Sequence, residues 1–320
     1  MNKRFGGRLF YFLVTMFGVT FLIYFAFFAL KHRGGNLFLP GEIIKGYFQW
    51  WLGLLRFDLG LSLKDHRPVL SKILERFPAT LELNVASLVF SFLISIPLAF
   101  WVIHKDKKTW EYSFSFITMV LFSLPSFWIA LVLSIFLGFQ LGEITQAWFG
   151  FQFRFPISGM RSLEVALNSG AFTWWQRFTD RLFHLILPVI CSSLFNIALI
   201  YKFFYNELRR IMNREYITAA RARGTSELRV VLLHAGKNAV FPLLTVFSLL
   251  IPGLLSSNFI IETVFSWPGI GRLGYDAIMA RDYPLVMGLA LFTTMIVIGT
   301  NLGIELAYFY FNPMLREAKD

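Results

Sequence analysis

The sequence has little charge and a single cysteine, and both shortages narrow the class of protein. Only 15% of the 320 residues are charged, whereas 56% are hydrophobic. A soluble domain of this length would expose far more charge. The lone cysteine, Cys191, excludes an intrachain disulfide and a cysteine metal cluster. The chain instead has several apolar runs longer than the roughly 18–20 residues that span a bilayer. Together with a mean hydropathy of +0.60, these runs predict an all-α, polytopic membrane protein.

The sequence also lacks the short motifs of common enzyme classes. It has no G-x-x-x-x-G-K-[ST] phosphate-binding loop, because Gly236-Lys237 lacks the upstream glycine and the following Ser or Thr. It has no H-E-x-x-H and no G-x-S-x-G motif. Its five histidines are scattered along the chain. We therefore expect no catalytic, cofactor or metal site, so that any ATP hydrolysis would have to come from a partner chain.

Six apolar runs predict six membrane spans, and the basic residues predict their orientation. The spans are expected at about 9–30, 81–103, 113–139, 182–205, 239–264 and 285–309. Basic residues concentrate before the first span, in the turn after the second, in the segment 206–238 and in the C-terminal tail. The positive-inside rule then places both termini and the segment 206–238 in the cytoplasm. The first run is too long for the apolar part of a signal peptide, so we expect it to be a retained span.

No linker or repeat divides the chain, so we expect one membrane domain over residues 1–320. The net charge of +11 fits membrane topology and contact with anionic lipids, and no nucleic-acid motif accompanies it. Tryptophans near the span ends suit the headgroup region, including Trp267, and Trp50 and Trp51 fall in a short outer stretch that fits an amphipathic helix.

The polar block 214–242 lies between two apolar runs and carries a helix–Gly–helix pattern. Glu215 to Arg223 predicts a short helix, and Gly224 follows where a left-handed C-terminal stop is expected. Thr225 would then cap the next helix, with Glu227 in its first turn.

The side chains of this short helix suit a docking surface. Ala219, Ala220 and Ala222 are small enough to let another surface approach closely, and Arg221 and Arg223 could pair with acids on a partner. The alternative is an ordinary solvated loop whose basic residues serve only topology.

Several motifs resemble one family of transport proteins. The block TAARARG, followed after nine residues by HAGKNA, resembles the "EAA" coupling motif of ABC-importer permeases, in the form found in the dipeptide/oligopeptide/nickel subfamily. Other matching motifs follow the family's order: FDLGLSL (57–63), RPV (67–69), ERFPATLEL (75–83), SLPSFWIALVL (123–133), FPISGM (155–160), LILPVI (185–190), ETVFSWPGIGRLGYDAIMARDYPLVMG (262–288) and NP (312–313).

Two departures from the family pattern accompany the match. Thr218 occupies the acidic position of the general motif, and the loop after the first span reads KHRGGNLFLPGE in place of the usual Pro-Gly-Asp-Pro. The chain length and this loop resemble the antimicrobial-peptide-uptake ("Sap"-type) branch.

The resemblance implies one permease of an ATP-driven ABC importer for short peptides in the bacterial inner membrane. The implied partners are a second homologous permease, two ABC ATPase subunits that hold ATP and Mg, a periplasmic or lipid-anchored binding protein, and membrane lipids. Two alternatives remain open: an importer of nickel chelates or other small solutes from the same family, and a channel or scaffold without an ATPase.

The resemblance also implies roles for particular residues. The expected ATPase-coupling residues are Tyr216, Ala219, Ala220, Arg221, Arg223 and Gly224. Pore or gate residues are expected at Asn258, Glu262, Trp267, Pro268 and Gly269, and binding-protein docking at Arg281 and Asp282. Glu262 would either line the pore mouth or form hydrogen bonds between helices and loops. The segment 262–283 exceeds a plain helix connection, so it forms either an outer gate with a landing surface or a re-entrant plug.

Overall fold

The computed structural model describes residues 14–25, 40–54, 58–168, 170–239, 243, 246–247, 250 and 259–311, which are mainly helical. Within this part of the chain, pairing of the β type is confined to an isolated bridge between Leu61 and Pro68. The all-α prediction is therefore confirmed. The chain divides into two compact units, Met1–Pro78 with Gly269–Asp320, and Ala79–Pro268. The expected single membrane domain over 1–320 stays a prediction.

The described helices follow one another in this order: α1 (Val14–Phe25), α2 (Pro40–Leu54), α3 (Val69–Lys105), α4 (Lys108–Ser123), α5 (Ser126–Ile135), α6 (Leu141–Phe149), α7 (Leu163–Leu167), α8 (Trp174–Met212), α9 (Glu215–Ala222), α10 (Glu227–Arg229), α11 (236–239), α12 (Phe259–Val264), α13 (Ile270–Met279) and α14 (Tyr283–Phe311). Two π-helical segments, Phe136–Gln140 and Val230–Ala235, join α5 to α6 and α10 to α11.

Four helical stretches among the described residues are long and apolar enough to cross a membrane. They are Val69–Lys105, Ser126–Phe149, Trp174–Met212 and Tyr283–Asn301. They contain or overlap the spans predicted from the second, third, fourth and sixth apolar runs. The first predicted span contains α1, and most of the fifth, 239–264, lies outside the described residues, as does Asn258.

The third apolar run, predicted as a span at about 113–139 with an interruption at Pro125, is divided between two helices. Helix α4 ends at Ser123, and both Leu124 and Pro125 have extended backbone before α5 begins at Ser126. Proline disfavours helical backbone in the residue before it and has no N–H to donate, which explains the break. The helical stretch that follows runs to Phe149, ten residues beyond the predicted end.

In the unit 79–268, serine hydroxyls join α3 to α8. Ser95 donates to the carbonyl of Ile197 at 3.0 Å, and Ser193 donates to the carbonyl of Ser87 at 3.0 Å. Small hydroxyl residues let membrane helices approach closely and bond across the contact. The C-terminal part of α8 shares one buried cluster with α9 and the segment after it. Its members include Phe204, Leu208, Ile217, Ala220, Val230, Ala235 and Ala239. Helix α8 is thereby packed against the polar block.

In the other unit, an aromatic cluster fixes α2 to α1. The rings of Phe17 and Trp51 stack with centroids 3.9 Å apart, and the hydroxyl of Tyr47 donates to the carbonyl of Phe17 at 2.8 Å. The predicted helix around Trp50 and Trp51 therefore exists, and both indoles are half-buried in the core of this unit.

Candidate functional site: the polar block and the segment 262–283

The polar block folds as the helix–Gly–helix unit that its sequence predicts. Helix α9 covers Glu215–Ala222, and Gly224 follows with a φ of +79°. The N–H of Gly224 bonds to the carbonyl of Arg221 at 2.9 Å, and the N–H of Thr225 bonds to the carbonyl of Ala220 at 3.2 Å. These bonds satisfy carbonyls at the end of α9, and the left-handed residue reverses the chain.

The cap of the next helix lies one residue later than predicted. Ser226, not Thr225, is the N-cap of α10, and its side chain makes no capping hydrogen bond. The N–H of Thr225 completes the turn that ends α9. Glu227 lies in the first turn of α10 as expected.

One face of α9 belongs to the protein's own core. Ile217 is 0% exposed and Ala220 is 1% exposed. The prediction that all three alanines present a surface to a partner is therefore wrong for Ala220, because its methyl group packs inside the chain. Ala219 and Ala222 are exposed.

The two arginines of α9 make contacts within the chain. Arg221 donates twice to Glu227, from Nε to Oε2 at 3.0 Å and from Nη2 to Oε1 at 2.6 Å. This hydrogen bonding lowers the pKa of Glu227 below its usual value and raises the pKa of Arg221. Arg223 donates from Nε to the carbonyl of Ala219 at 3.2 Å. Arg221 thus already has a carboxylate partner in its own chain.

Tyr216 is tied to the far end of the same segment. Its hydroxyl accepts a hydrogen bond from Nδ2 of Asn238 at 2.9 Å, and the same amide donates to the carbonyl of His234 at 3.0 Å. The sequence argument named neither Glu227 nor Asn238 as a site residue. The spacing of an arginine and a glutamate on either side of the predicted Gly224 turn was the available signal for Glu227.

The glycine of HAGKNA has a packing role. A Cβ added at Gly236 would lie 2.8 Å from Cζ of Phe100 on α3. Only glycine fits this approach without a shift of Phe100, so the segment after α9 lies directly on α3.

In the unit 79–268, Glu262 and Trp267 are interior groups. Glu262 is 0% exposed, and its Oε1 accepts a hydrogen bond from Oγ1 of Thr80 at 2.8 Å. Trp267 is also 0% exposed, and its Nε1 donates to the carbonyl of Ala79 at 2.8 Å. Of the two alternatives for Glu262, the structure shows the hydrogen-bonded one. The ring of Trp267 is therefore not an exposed anchor to lipid headgroups, because the ring and its N–H are both satisfied inside the protein.

Pro268 and Gly269 follow at the end of this turn. Pro268 is half-buried, and Gly269 is buried and forms the N-cap of α13 with extended backbone. Their proposed part in a gate stays a prediction.

In the other unit, Asp282 is a buried anchor. It is 1% exposed and accepts hydrogen bonds from Oγ of Ser62, from the N–H of Leu63 at 3.0 Å, and from the N–H of Leu285 at 3.4 Å. The bond to Leu285 caps the start of α14, where a carboxylate is favoured. The prediction that Asp282 faces a docking partner is therefore wrong. Arg281 is exposed, with a φ of +54°.

A charged cavity lies beside Asp282. Its volume is about 200 Å³. At its edge Lys72 donates to Ser62 at 2.9 Å and pairs with Asp65 at 2.8 Å, which holds the pKa of the Asp65 carboxyl well below its usual range. Exposed Lys64 and Arg76 also line it.

Comparison with known proteins places the chain in a family. The family model described as "Binding-protein-dependent transport system inner membrane component" matches residues 91–317. The dipeptide transport system permease protein DppB of Escherichia coli is 31% identical over 280 residues, which cover 85% of this chain and 81% of that protein. The oligopeptide transport system permease protein AppB of Bacillus subtilis is 29% identical, with 84% and 79% covered. The di/tripeptide transport system permease protein DppB of Pseudomonas aeruginosa is 31% identical, with 90% and 84% covered.

The family match extends over most of the chain, and the described residues supply several helices that can cross a bilayer. The chain therefore belongs to the family of binding-protein-dependent transport system inner membrane components, and it is a multi-pass permease subunit of the inner membrane.

Proposed function

We propose that this chain forms half of the pathway by which an ATP-driven importer carries short peptides across the inner membrane. The observation that carries the proposal is the alignment with relatives named as dipeptide, oligopeptide and di/tripeptide permeases over at least 79% of their own lengths. A second homologous permease supplies the other half. A binding protein delivers the peptide from outside.

Two partner ATPases bind ATP and Mg and dock on the exposed face of α9. This face carries Tyr216, Ala219, Ala222 and Arg223. Its opposite face is buried with α8 through Ile217 and Ala220. A push on α9 is therefore passed to α8 without an intervening flexible loop.

Uptake into proteoliposomes tests the substrate class. The chain would be reconstituted with its partner permease, its ATPases and its binding protein, and labelled dipeptide and labelled nickel would be offered separately. We expect ATP-dependent uptake of the dipeptide that unlabelled dipeptide competes away. ATP-dependent uptake of nickel without dipeptide uptake would assign the chain to nickel transport, and uptake independent of ATP would indicate a channel.

We also propose six spans with both termini in the cytoplasm. The basic segments around Lys107 and in 206–238 support this orientation, because positively charged loops are retained on the cytoplasmic side. The residues of α9 and α10 would then face the ATPases.

Thiol labelling of single cysteines tests the orientation. In a Cys191→Ser background, a cysteine at position 160 should react with an impermeant reagent added to intact spheroplasts, whereas cysteines at 107 and 226 should react only after lysis. The reverse pattern would refute the proposed orientation. Cys191 itself is 2% exposed, so its removal should disturb labelling little.

The outer docking surface is proposed around Arg281 and the charged cavity. With Asp282 buried, the exposed cations available to a partner in this unit include Arg281, Lys64 and Arg76. Such cations suit carboxylates on a binding protein, since complementary surface charges steer association.

Charge reversal at Arg281 should weaken docking in a salt-dependent way. We expect Arg281→Glu to lower the affinity of the binding protein about two- to fivefold at low salt, with the difference shrinking at high salt because exposed charges are screened. Lys107→Glu, on the proposed cytoplasmic side, is the control and should have no effect. The affinity is measured by binding of the binding protein to the permease complex in nanodiscs at low and at high salt. If the affinity changes with neither the substitution nor the salt concentration, the result would favour a plug role for the segment 262–283.

A further inference from the structure

Two side-chain ties join α9 to the segment that follows Gly224. Arg221, at the end of α9, holds Glu227 of α10 through two hydrogen bonds of 3.0 and 2.6 Å. Tyr216, near its start, accepts a hydrogen bond from Asn238 at 2.9 Å. The ties therefore act at opposite ends of an eight-residue helix.

We propose that Glu227 and Asn238 are positioning residues that clamp α9 to the segment 227–239, so that the two move as one body when the ATPases act. This proposal rests on the proposed function, because it assumes that α9 receives the push. Neither residue needs to touch the ATPase. Each acts through the α9 residue that it holds, Arg221 or Tyr216.

The backbone alone gives α9 little fixed orientation. Helices of eight and three residues are too short to be stable by themselves in water. Gly224 between them has no side chain and accepts many conformations. Buried Ile217 and Ala220 set how deeply α9 lies. Rotation about its axis and swinging about Gly224 are restrained by the two polar ties.

The clamped segment leads to both long helices of its unit. Val230, Ala235 and Ala239 are each 0% exposed and belong to the cluster that also contains buried residues of α3 and α8. Gly236 lies against Phe100 of α3 so closely that a Cβ would meet the ring at 2.8 Å. Displacement of the clamped body therefore acts on α3 and α8 together, whereas an unclamped α9 would act on α8 through its buried face and on the segment 227–239 only through the turn at Gly224.

The Arg221–Glu227 pair is suited to a mechanical rather than a stabilising role. Both side chains are 43% exposed, and ion pairs with that exposure contribute little to overall stability. Loss of the pair should therefore leave insertion and assembly intact. What it removes is the fixed angle between α9 and α10.

The test compares uptake with ATP hydrolysis in the full reconstituted complex. For Glu227→Ala we expect the number of dipeptides imported per ATP hydrolysed to fall about two- to fivefold, a change of the size that an exposed ion pair controls. The charge-swapped double variant Arg221→Glu with Glu227→Arg should recover most of the wild-type ratio. Co-purification of the ATPases should be unchanged in Glu227→Ala.

Arg210→Ala is the matched control. Arg210 makes a similar two-point contact with Glu207, but within α8. Removing it should not alter the ratio.

A second pair of variants, Tyr216→Phe and Asn238→Ala, tests the other tie. Each should lower the ratio, and the double variant should lower it no further than Asn238→Ala alone, because that variant already removes the hydrogen bond to Tyr216.

The outcomes separate the clamp from the proposed function. A wild-type ratio in Glu227→Ala, or a charge swap that restores nothing, would overturn the clamp while leaving peptide import standing. Failure of the wild-type complex to import dipeptide with ATP would overturn the proposed function and the clamp with it.

Discussion

Replacing Gly224 by valine should reduce ATP-driven uptake at least tenfold while the chain still inserts in the membrane. Gly224 has a φ of +79°, and no heavy atom lies within 4 Å of an added Cβ. The penalty is therefore one of backbone conformation, not of space. The left-handed region costs an L-residue about 1–2 kcal/mol, and a β-branched residue is an outlier there. The turn should open, and α9 should lose its place relative to α10.

Gly224→Asn is the matched control, because asparagine enters the left-handed region far more readily than valine. We expect it to keep uptake within about twofold of wild type. The measurement is uptake together with substrate-stimulated ATP hydrolysis in the reconstituted complex. Unchanged stimulation in Gly224→Val would contradict a coupling role for this turn.

Replacing Trp267 by alanine should cause the largest loss of stability of the substitutions considered. The ring is 0% exposed, and its N–H bonds to the carbonyl of Ala79 at 2.8 Å. Removing a buried tryptophan costs about 3–5 kcal/mol through lost burial and the cavity left behind. Trp267→Phe keeps most of the apolar contact but leaves that carbonyl without its indole donor, so it should cost about 1–3 kcal/mol.

Thermal unfolding of the purified protein in detergent checks this order. Trp148, which is 80% exposed, supplies the control, and Trp148→Ala should shift the midpoint little. Equal shifts for Trp267→Ala and Trp148→Ala would contradict the buried position of Trp267.

The helix–Gly–helix unit of the polar block was predictable because its signals are local. A left-handed glycine after a short helix, and an acid in the next first turn, depend on residues within a few positions of one another. Even the error over Thr225 was a shift of one residue. The break at Pro125 also has a local cause, and the proline itself was the signal for it.

The segment 262–283 was less predictable because its contacts come from distant parts of the chain. Trp267 bonds to a residue 188 positions away, and Asp282 to one 220 positions away. A charged or amphipathic residue near a span end has the same local sequence whether it faces a partner or the interior. Ala220 illustrates the same difficulty on a smaller scale, since helix periodicity alone does not say which face of α9 the core covers.

Cross-linking from the exposed face of α9 tests most directly whether a separate ATPase drives this permease. A cysteine introduced as Ala219→Cys in a Cys191→Ser background would carry a short photoactivatable cross-linker in inner-membrane vesicles containing the assembled complex. The predicted result is an adduct with an ATP-binding subunit from position 219 and none from a cysteine at position 160. Adducts from position 219 that contain no ATP-binding subunit, in vesicles that import peptide with ATP, would contradict the account.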